Sequence, residues 1–179
     1  MNAGRTHTEI EAKLKVENHN RVLEGLQTHH GQFKAQQYQR DDYYDNADRT
    51  LTGTDQCLRL RHEQDEHGQR CILTYKGPRA ESDLKIRKEI ELSVDNPQAA
   101  ADLLEALQYT KRLVVEKQRQ LWQQDNCLVA LDRVTGLGTF VEIEGPSTEE
   151  VLAVHDRLNL TDCPRLTDSY ASMVARLDD

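Results

Sequence analysis

The sequence predicts an α+β fold in which about eight antiparallel strands dominate and about four helices pack against them. The first observation is the alternation of apolar and polar residues, which is strict in TEIEAKLKV (residues 8–16) and typical of strands, whose side chains have a period of two. The second is that most strand-like segments follow one another directly, which favours antiparallel pairing. The length of 179 residues suits one domain, so residues 1–179 are expected to form a single unit.

The first third of the chain contains four predicted segments. They are a strand over 8–16, a helix over 18–31, a strand over 33–45 and a loop over 47–55. The helix has an asparagine near its start and reaches Gly31, which is a common stop signal. Gly53 and its polar neighbours interrupt the alternating pattern, and this interruption predicts the loop.

The middle third is predicted to contain three strands and a helix. The strands cover 57–63, 70–78 and 84–94, and the helix covers 95–109. The polar segment QDEHGQ between the first two strands is typical of a hairpin. Asn96 is a suitable N-cap for the helix, and Pro97 suits its first turn, where no backbone N–H is needed.

The last third is predicted to contain three more strands and two helices. The strands cover 112–123, 127–134 and 139–145, and the helices cover 146–160 and 167–177. The segment TGLG forms the turn between the last two strands. Ser147 and Glu150 have the spacing of a capping box at the start of the first of these helices.

The composition restricts the classes of function. With 37% hydrophobic and 30% charged residues, the chain is polar but does not belong to the disordered class. The net charge of -8 argues against a nucleic-acid partner, which requires a basic surface. No apolar signal segment and no membrane span are present, so no membrane partner is expected. The cysteines at 57, 71, 127 and 163 form no CxxC motif, which predicts free thiols in a reducing compartment and a cytoplasmic protein.

Charged residues of like sign recur two positions apart on the predicted strands, so their side chains share one face. The acidic pairs are Glu9 with Glu11, Glu89 with Glu91 and Glu142 with Glu144, and the basic pairs are Arg59 with Arg61, Lys85 with Arg87 and Lys117 with Arg119. Such neighbours are roughly 6.6 Å apart along a strand. Two carboxylates at this separation repel each other unless water or a cation lies between them.

These polar faces have two interpretations. If they point outward, they form an ordinary solvated surface. If they point inward, the strands form a barrel with a charged interior, in which carboxylates suit Mg²⁺ or Mn²⁺ and the basic groups suit phosphate oxygens. The two kinds of group together predict a polyphosphate held by basic residues and bridged to acidic residues through metal, as in phosphoryl-transfer sites.

The chain resembles the CYTH superfamily, also called triphosphate tunnel metalloenzymes, in six segments across almost its whole length. They are Glu9-x-Glu11-x-Lys13 and the segments CLRLR, LTYKGP, RKEIEL, EKQRQLW and VALDRVTGLGTFVEIEG. The resemblance implies an eight-stranded antiparallel β-barrel, a tunnel with a polar, charged interior and with helices packed outside. It also implies that the tunnel binds a triphosphate and a divalent metal, Mg²⁺ or Mn²⁺.

The resemblance also assigns roles to individual residues. The catalytic residues it implies are Glu9, Glu11, Asp132 and Glu142, and the metal ligands are these four together with Glu144. The substrate-binding residues it implies are Lys13, Arg59, Arg61, Lys76, Lys85, Arg87, Lys117 and Arg119.

Within the superfamily, the segments TYKGP, ALDRVTGLGTFVEIE and DSYASMV look most like class IV adenylyl cyclases. Two features differ from family patterns. Class IV cyclases often carry a His-Phe pair before the first strand motif, where this chain has His7 and Thr8. Triphosphatases often carry a lysine in the C-terminal helix, where Tyr170 and Arg176 are the candidates here.

Three functions therefore remain open from the sequence. The resemblance favours an adenylate cyclase that converts ATP to cyclic AMP and pyrophosphate. The alternatives are a triphosphatase that hydrolyses inorganic triphosphate, thiamine triphosphate or a nucleoside triphosphate, and a non-catalytic module that binds nucleotide or polyphosphate. ATP is the expected small-molecule partner, and a homodimer is the expected assembly.

Overall fold

A computed structural model describes residues 4–177 and shows a closed barrel of eight antiparallel strands in the order β1-β5-β4-β3-β2-β6-β7-β8. The strands are β1 (Arg5–Val16), β2 (Gln32–Asp45), β3 (Cys57–Asp65), β4 (Gly68–Lys76), β5 (Lys85–Ser93), β6 (Thr110–Gln124), β7 (Cys127–Val134) and β8 (Gly138–Glu144). The barrel closes because β1 pairs with β5 along its first half and with β8 along its second half. The prediction of an eight-stranded antiparallel barrel is confirmed.

The barrel has its apolar faces outside and its polar faces inside. On β1, Ala12 and Leu14 are buried in the main apolar core, which lies between the barrel wall and the helices. The alternate residues Glu11 and Lys13 are also buried, but they line the cavity within the barrel. The alternating pattern therefore buries both faces of β1, and the charged face is the inner one.

Five helices lie among the described residues. They are α1 (Asn20–Thr28), α2 (Thr50–Gly53), α3 (Pro97–Ala106), α4 (Thr148–Arg157) and α5 (Tyr170–Ala175). The predicted caps are confirmed, because Asn96 accepts a hydrogen bond from Ala99 N and Ser147 accepts one from Glu150 N. The prediction that 47–55 is only a loop is wrong, because the Asp45 carboxylate accepts hydrogen bonds from the backbone of Leu51 and Thr52 and stabilises the single turn α2.

The two ends of the barrel differ. The Leu128 end contains the starts of β1, β2, β4 and β7, and Leu121 and Leu128 lie there. The Tyr170 end contains the starts of β3, β5, β6 and β8, and residues of α5 contribute to the cavity wall there. The segment before α5 is held by β1, since Leu166 N donates to Lys13 O at 2.7 Å.

Two smaller expectations concern cysteines and membranes. All four cysteines are free thiols in the structure, as predicted. Among residues 4–177, no helix has the length and apolar character needed to cross a membrane.

Candidate functional site

A cavity of about 590 Å³ runs inside the barrel and collects almost all of the predicted site residues. Its wall includes twelve of them, namely Glu9, Glu11, Lys13, Arg59, Arg61, Lys76, Lys85, Arg87, Lys117, Arg119, Glu142 and Glu144. Asp132 is the exception, because it is fully buried behind the cavity wall. The charged faces point inward, so the interpretation of a barrel with a charged interior is correct and that of a solvated outer surface is wrong.

The acidic side of the cavity is formed by β1 and β8. Glu11 lies opposite Glu144 in the strand pairing, and Lys13 lies opposite Glu142. Lys13 Nζ is 3.0 Å from Glu142 Oε1 and 3.8 Å from Glu11 Oε1. Glu9 accepts a hydrogen bond at 2.9 Å from Lys76 of β4, which is separated from β1 only by β5. Each of these carboxylates except Glu144 therefore has a basic partner in the pairs described.

Glu144 is the least favourably placed of these carboxylates. Burial and the charges of Glu9 and Glu11 raise the pKa of Glu144 to about 7. For Glu142 the balance is reversed: burial again opposes ionisation, but Lys13 and Arg119 hold its pKa well below the ordinary value. At the β1–β8 corner, the ionised form of Glu144 thus meets more negative charge than its basic neighbours neutralise, and a cation beside Glu144 would stabilise it.

The basic side of the cavity is organised around Asp41 on β2. The Asp41 carboxylate accepts two hydrogen bonds from Arg61, at 2.6 and 2.7 Å, and lies 3.5 Å from Arg59 Nη1 and 3.7 Å from Lys117 Nζ. Burial opposes ionisation of Asp41, but Arg61 and Arg59 outweigh it and hold the pKa far below the ordinary value. Asp41 therefore faces three basic groups, and with Glu63 as a second carboxylate, 3.8 Å from Arg61, the cluster still keeps an excess of positive charge.

Lys117 shows the effect of this excess. Its ammonium group is buried, and burial together with the charges of Arg119 and Arg61 lowers the pKa of Lys117 to about 7. Asp132 and Asp41 oppose this shift but do not cancel it. An anion placed beside Lys117 would favour its charged form, which makes this side of the cavity suitable for phosphate oxygens.

Asp132 lies behind the cavity wall, beside the acidic cluster, and its role as a metal ligand stays a prediction. Its carboxylate accepts hydrogen bonds from Arg119 at 2.6 and 2.5 Å and from the Tyr170 hydroxyl at 2.9 Å. Arg119 reaches from there to Glu142 on the next strand. Asp132 thus orients Arg119 from behind, and its oxygens are already occupied by two donors.

Sequence reasoning missed several residues of this cavity. Gln37 and Gln39 are almost fully buried in the cavity wall, Asp41 is buried among the basic groups, and Tyr170 packs beneath two lysines. The Lys13 ammonium lies 3.9 Å from the centre of the Tyr170 ring, and that of Lys117 lies 5.1 Å from it. The sequence signal for the β2 residues is weak, because the residues at 36, 40 and 42 on the opposite face are also polar, so no alternation with apolar residues marks the inner face.

The cavity can be tested for its fit to a divalent metal. Among residues 4–177, no group of three acidic, histidine or cysteine side chains is already arranged around one point. The donor chemistry nevertheless fits, because Glu9, Glu11 and Glu144 present carboxylate oxygens to one cavity from two adjacent strands. The pKa of Glu144 is raised partly because these carboxylates lie close enough to repel one another. Glu142 would complete the set from the same strand as Glu144.

Comparisons with known proteins agree with this geometry. The model of the CYTH domain family matches residues 7–160. A Methanocaldococcus jannaschii protein named as a putative adenylate cyclase is 28% identical over 174 residues, covering 92% of this chain and 97% of that protein. The structure of the PH1819 protein from Pyrococcus horikoshii has a TM-score of 0.83 at 26% identity, covering 94% of this chain and 99% of that one.

A further solved structure is similar in fold alone. It is a putative adenylyl cyclase from Hippeastrum, described as having a dominant triphosphatase activity. Its TM-score is 0.73 at 19% identity, and the match covers 96% of both chains.

Proposed function

Because the chain belongs to the CYTH domain family, we propose that it is a metal-dependent enzyme that converts ATP to cyclic AMP and pyrophosphate inside the barrel. The observation that carries this proposal is the division of one cavity into two sides of opposite charge. The β1–β8 corner supplies carboxylates, and the cluster around Asp41 supplies arginine and lysine. This division matches a ligand that needs both a polyphosphate site and a cation site.

The basic residues would hold the triphosphate. Arg59, Arg61 and Arg119 are fixed charges in a buried wall, and Lys117 lies between them. In such a wall, hydrogen bonds to charged oxygens are stronger than in water because the dielectric is low. When the 3′-hydroxyl oxygen attacks the α-phosphorus, these groups would stabilise the charge that develops on the departing pyrophosphate.

The carboxylates would hold the metal. A divalent cation held by Glu9, Glu11, Glu142 and Glu144 would neutralise phosphate charge and lower the pKa of an oxygen nucleophile. Lys13, Lys76 and Lys85 would orient Glu142, Glu9 and Glu11 before the ligand arrives, since each lysine lies within 4 Å of one of these carboxylates. Mg²⁺ and Mn²⁺ both suit such oxygen donors.

Hydrolysis of a triphosphate is the second candidate function. The same cavity would serve it, with water rather than a ribose hydroxyl as nucleophile and the terminal phosphorus as target. The observation that favours it is the description of the Hippeastrum structure, whose protein shows dominant triphosphatase activity within the same fold.

Product analysis by chromatography tests the proposal. The protein is incubated with ATP, GTP, thiamine triphosphate or tripolyphosphate, each with Mg²⁺ or Mn²⁺. Cyclic AMP and pyrophosphate from ATP are the expected products. Orthophosphate as the sole product would assign the protein to the hydrolases, and binding without any product would make it a binding module.

A variant and its control link the activity to the cavity. Glu9→Gln with Glu11→Gln removes two charges but keeps the side-chain shapes, so metal-dependent turnover is expected to disappear. Glu105→Gln, on the exposed face of α3, is the matched control and should leave turnover unchanged. Equal loss in both proteins would contradict the assignment of the carboxylates.

A further inference from the structure

We propose that Gln37 and Gln39 read the nucleobase of the substrate, with a preference for a 6-aminopurine. This inference rests on the proposed function, because it requires a nucleoside triphosphate in the barrel. The two glutamines are neutral side chains in a cavity whose other buried polar residues are mostly charged, and they are only 3% and 2% exposed. They lie opposite Arg119 and Lys117 in the pairing of β2 with β6.

The orientation of the Gln39 amide is determined by its neighbours. Gln39 Nε2 donates to Glu63 Oε1 at 2.7 Å and to Gln37 Oε1 at 2.9 Å. Because a carboxylate only accepts hydrogen bonds, the nitrogen must face Glu63, and the oxygen must point elsewhere. Glu63 is in turn held by Arg70. The amide is therefore oriented in advance by a short network of charged groups.

This orientation leaves an unused acceptor on a residue of the cavity wall. Among residues 4–177, Gln39 Oε1 is buried and has no hydrogen-bond partner. A buried acceptor without a partner is costly, and it is relieved by a ligand that brings an N–H group. Gln37 uses its oxygen as the acceptor for Gln39, and its Nε2 carries two N–H donors. The pair thus presents an acceptor beside a donor.

The residues around the two amides suit a flat, apolar ring. On β6, the side chain that follows Arg119 on the inner face is Leu121, and it lies opposite Ala130 of β7. Leu128 continues this surface to the Leu128 end, where it is 40% exposed. A base inserted here would contact aliphatic side chains on its faces and amides on its edge, while the phosphates reached Lys117 and Arg119.

The hydrogen-bonding pattern selects among bases. Adenine presents an amino donor at N6 and an acceptor at N7, which match the Gln39 oxygen and the Gln37 nitrogen. Guanine presents an acceptor, O6, where adenine has its amino group, and this oxygen would face the Gln39 oxygen without a proton between them. The structure therefore predicts that ATP binds about tenfold more tightly than GTP.

Calorimetric titration tests the inference, with Ca²⁺ in place of Mg²⁺ and with chromatography after each titration to check for turnover. The ligands are ATP, GTP, tripolyphosphate and purine riboside triphosphate, which lacks the 6-amino group. In the wild type, ATP should bind about tenfold more tightly than both GTP and purine riboside triphosphate. Because this comparison uses only the wild type, it does not depend on the folding of any variant.

Gln39→Met tests the residue itself. It should weaken ATP about tenfold and leave purine riboside triphosphate and tripolyphosphate unchanged. Gln36→Met, on the exposed outer face of the same strand, is the control and should change none of the four affinities. Thermal unfolding of each variant shows whether the barrel is intact.

The failures of the two proposals are distinguishable. If tripolyphosphate binds to the wild type but ATP and GTP bind equally, the inference is wrong and the proposed function stands. The inference is also wrong if Gln39→Met weakens ATP and purine riboside triphosphate by the same factor. If tripolyphosphate does not bind to the wild type at all, the proposed function itself is contradicted.

Discussion

Asp41→Asn is expected to lower the stability of the free protein and to strengthen its binding of tripolyphosphate. The substitution removes the carboxylate that lies within 4 Å of all three of Arg59, Arg61 and Lys117, and it keeps the shape of the side chain. Asp41 is only 1% exposed, so bulk water cannot solvate the basic groups in place of the lost carboxylate charge. Removing one partner of a buried ion pair costs about 3–5 kcal/mol of unfolding free energy.

The lower part of that range is the better expectation for Asp41. The pKa of Lys117 is already lowered to about 7, so this lysine can lose its proton when Asp41 is neutralised, and only the two arginines remain charged. A loss of about 3 kcal/mol corresponds to a fall in Tm of about 6–12 °C for a chain of this size. A bound triphosphate would supply the missing negative charge, so the affinity for tripolyphosphate should rise.

The assay is urea unfolding with and without tripolyphosphate, together with calorimetric titration. Asp42→Asn is the matched control, because Asp42 is the next residue on the strand and pairs with the half-exposed Arg40 and Lys111. Its loss should cost less than about 1 kcal/mol. The reasoning is refuted if the two variants lose equal stability, or if Asp41→Asn weakens tripolyphosphate binding.

Three further predictions concern the same wall. In the free protein, the charged groups facing Lys117 are Arg61, Asp41, Arg119 and Asp132, with the Tyr170 ring beside it. The pKa of Lys117 is lowered in the folded state, so between about pH 7.5 and 9.5 the unfolded state binds more protons than the folded state. The contribution of Lys117 to the unfolding free energy therefore rises with pH in this range. Lys117→Met should reduce the slope of unfolding free energy against pH, measured by urea unfolding, by up to about 1.4 kcal/mol per pH unit. Arg119→Ala should weaken ATP and tripolyphosphate by the same factor in calorimetry, and a loss confined to ATP would place Arg119 on the nucleoside. Tyr170→Phe removes one hydrogen bond to Asp132 and should lower the unfolding free energy in urea by about 1 kcal/mol. The affinity for tripolyphosphate should also fall, because Asp132 would orient Arg119 less firmly, and an unchanged affinity would contradict that role for Tyr170.

The sequence by itself determined the strands and which residues share a face. Glu9, Glu11 and Lys13 alternate with apolar residues, and period-two alternation is a local property that needs no knowledge of the fold. Gln37, Gln39 and Asp41 also share one face of a strand, but positions 36, 40 and 42 on the other face are polar too, so the sequence does not indicate which face is buried. The glycine and polar residues of 47–55 predict a loop, because the single turn found there depends on the Asp45 carboxylate, which lies outside the segment.

Only the tertiary structure decided which face of each strand points inward and which charges meet. Alternation does not distinguish the two faces of a strand. Which face points inward depends on closure of the barrel, in which Glu11, near the start of the sequence, pairs with Glu144, near its end. Packing of α5 against the barrel brings Tyr170 to Asp132, whose carboxylate also accepts hydrogen bonds from Arg119 and lies behind the cavity wall. These contacts join residues that are far apart in sequence, and their distances depend on strand register and helix packing, which the local pattern does not contain.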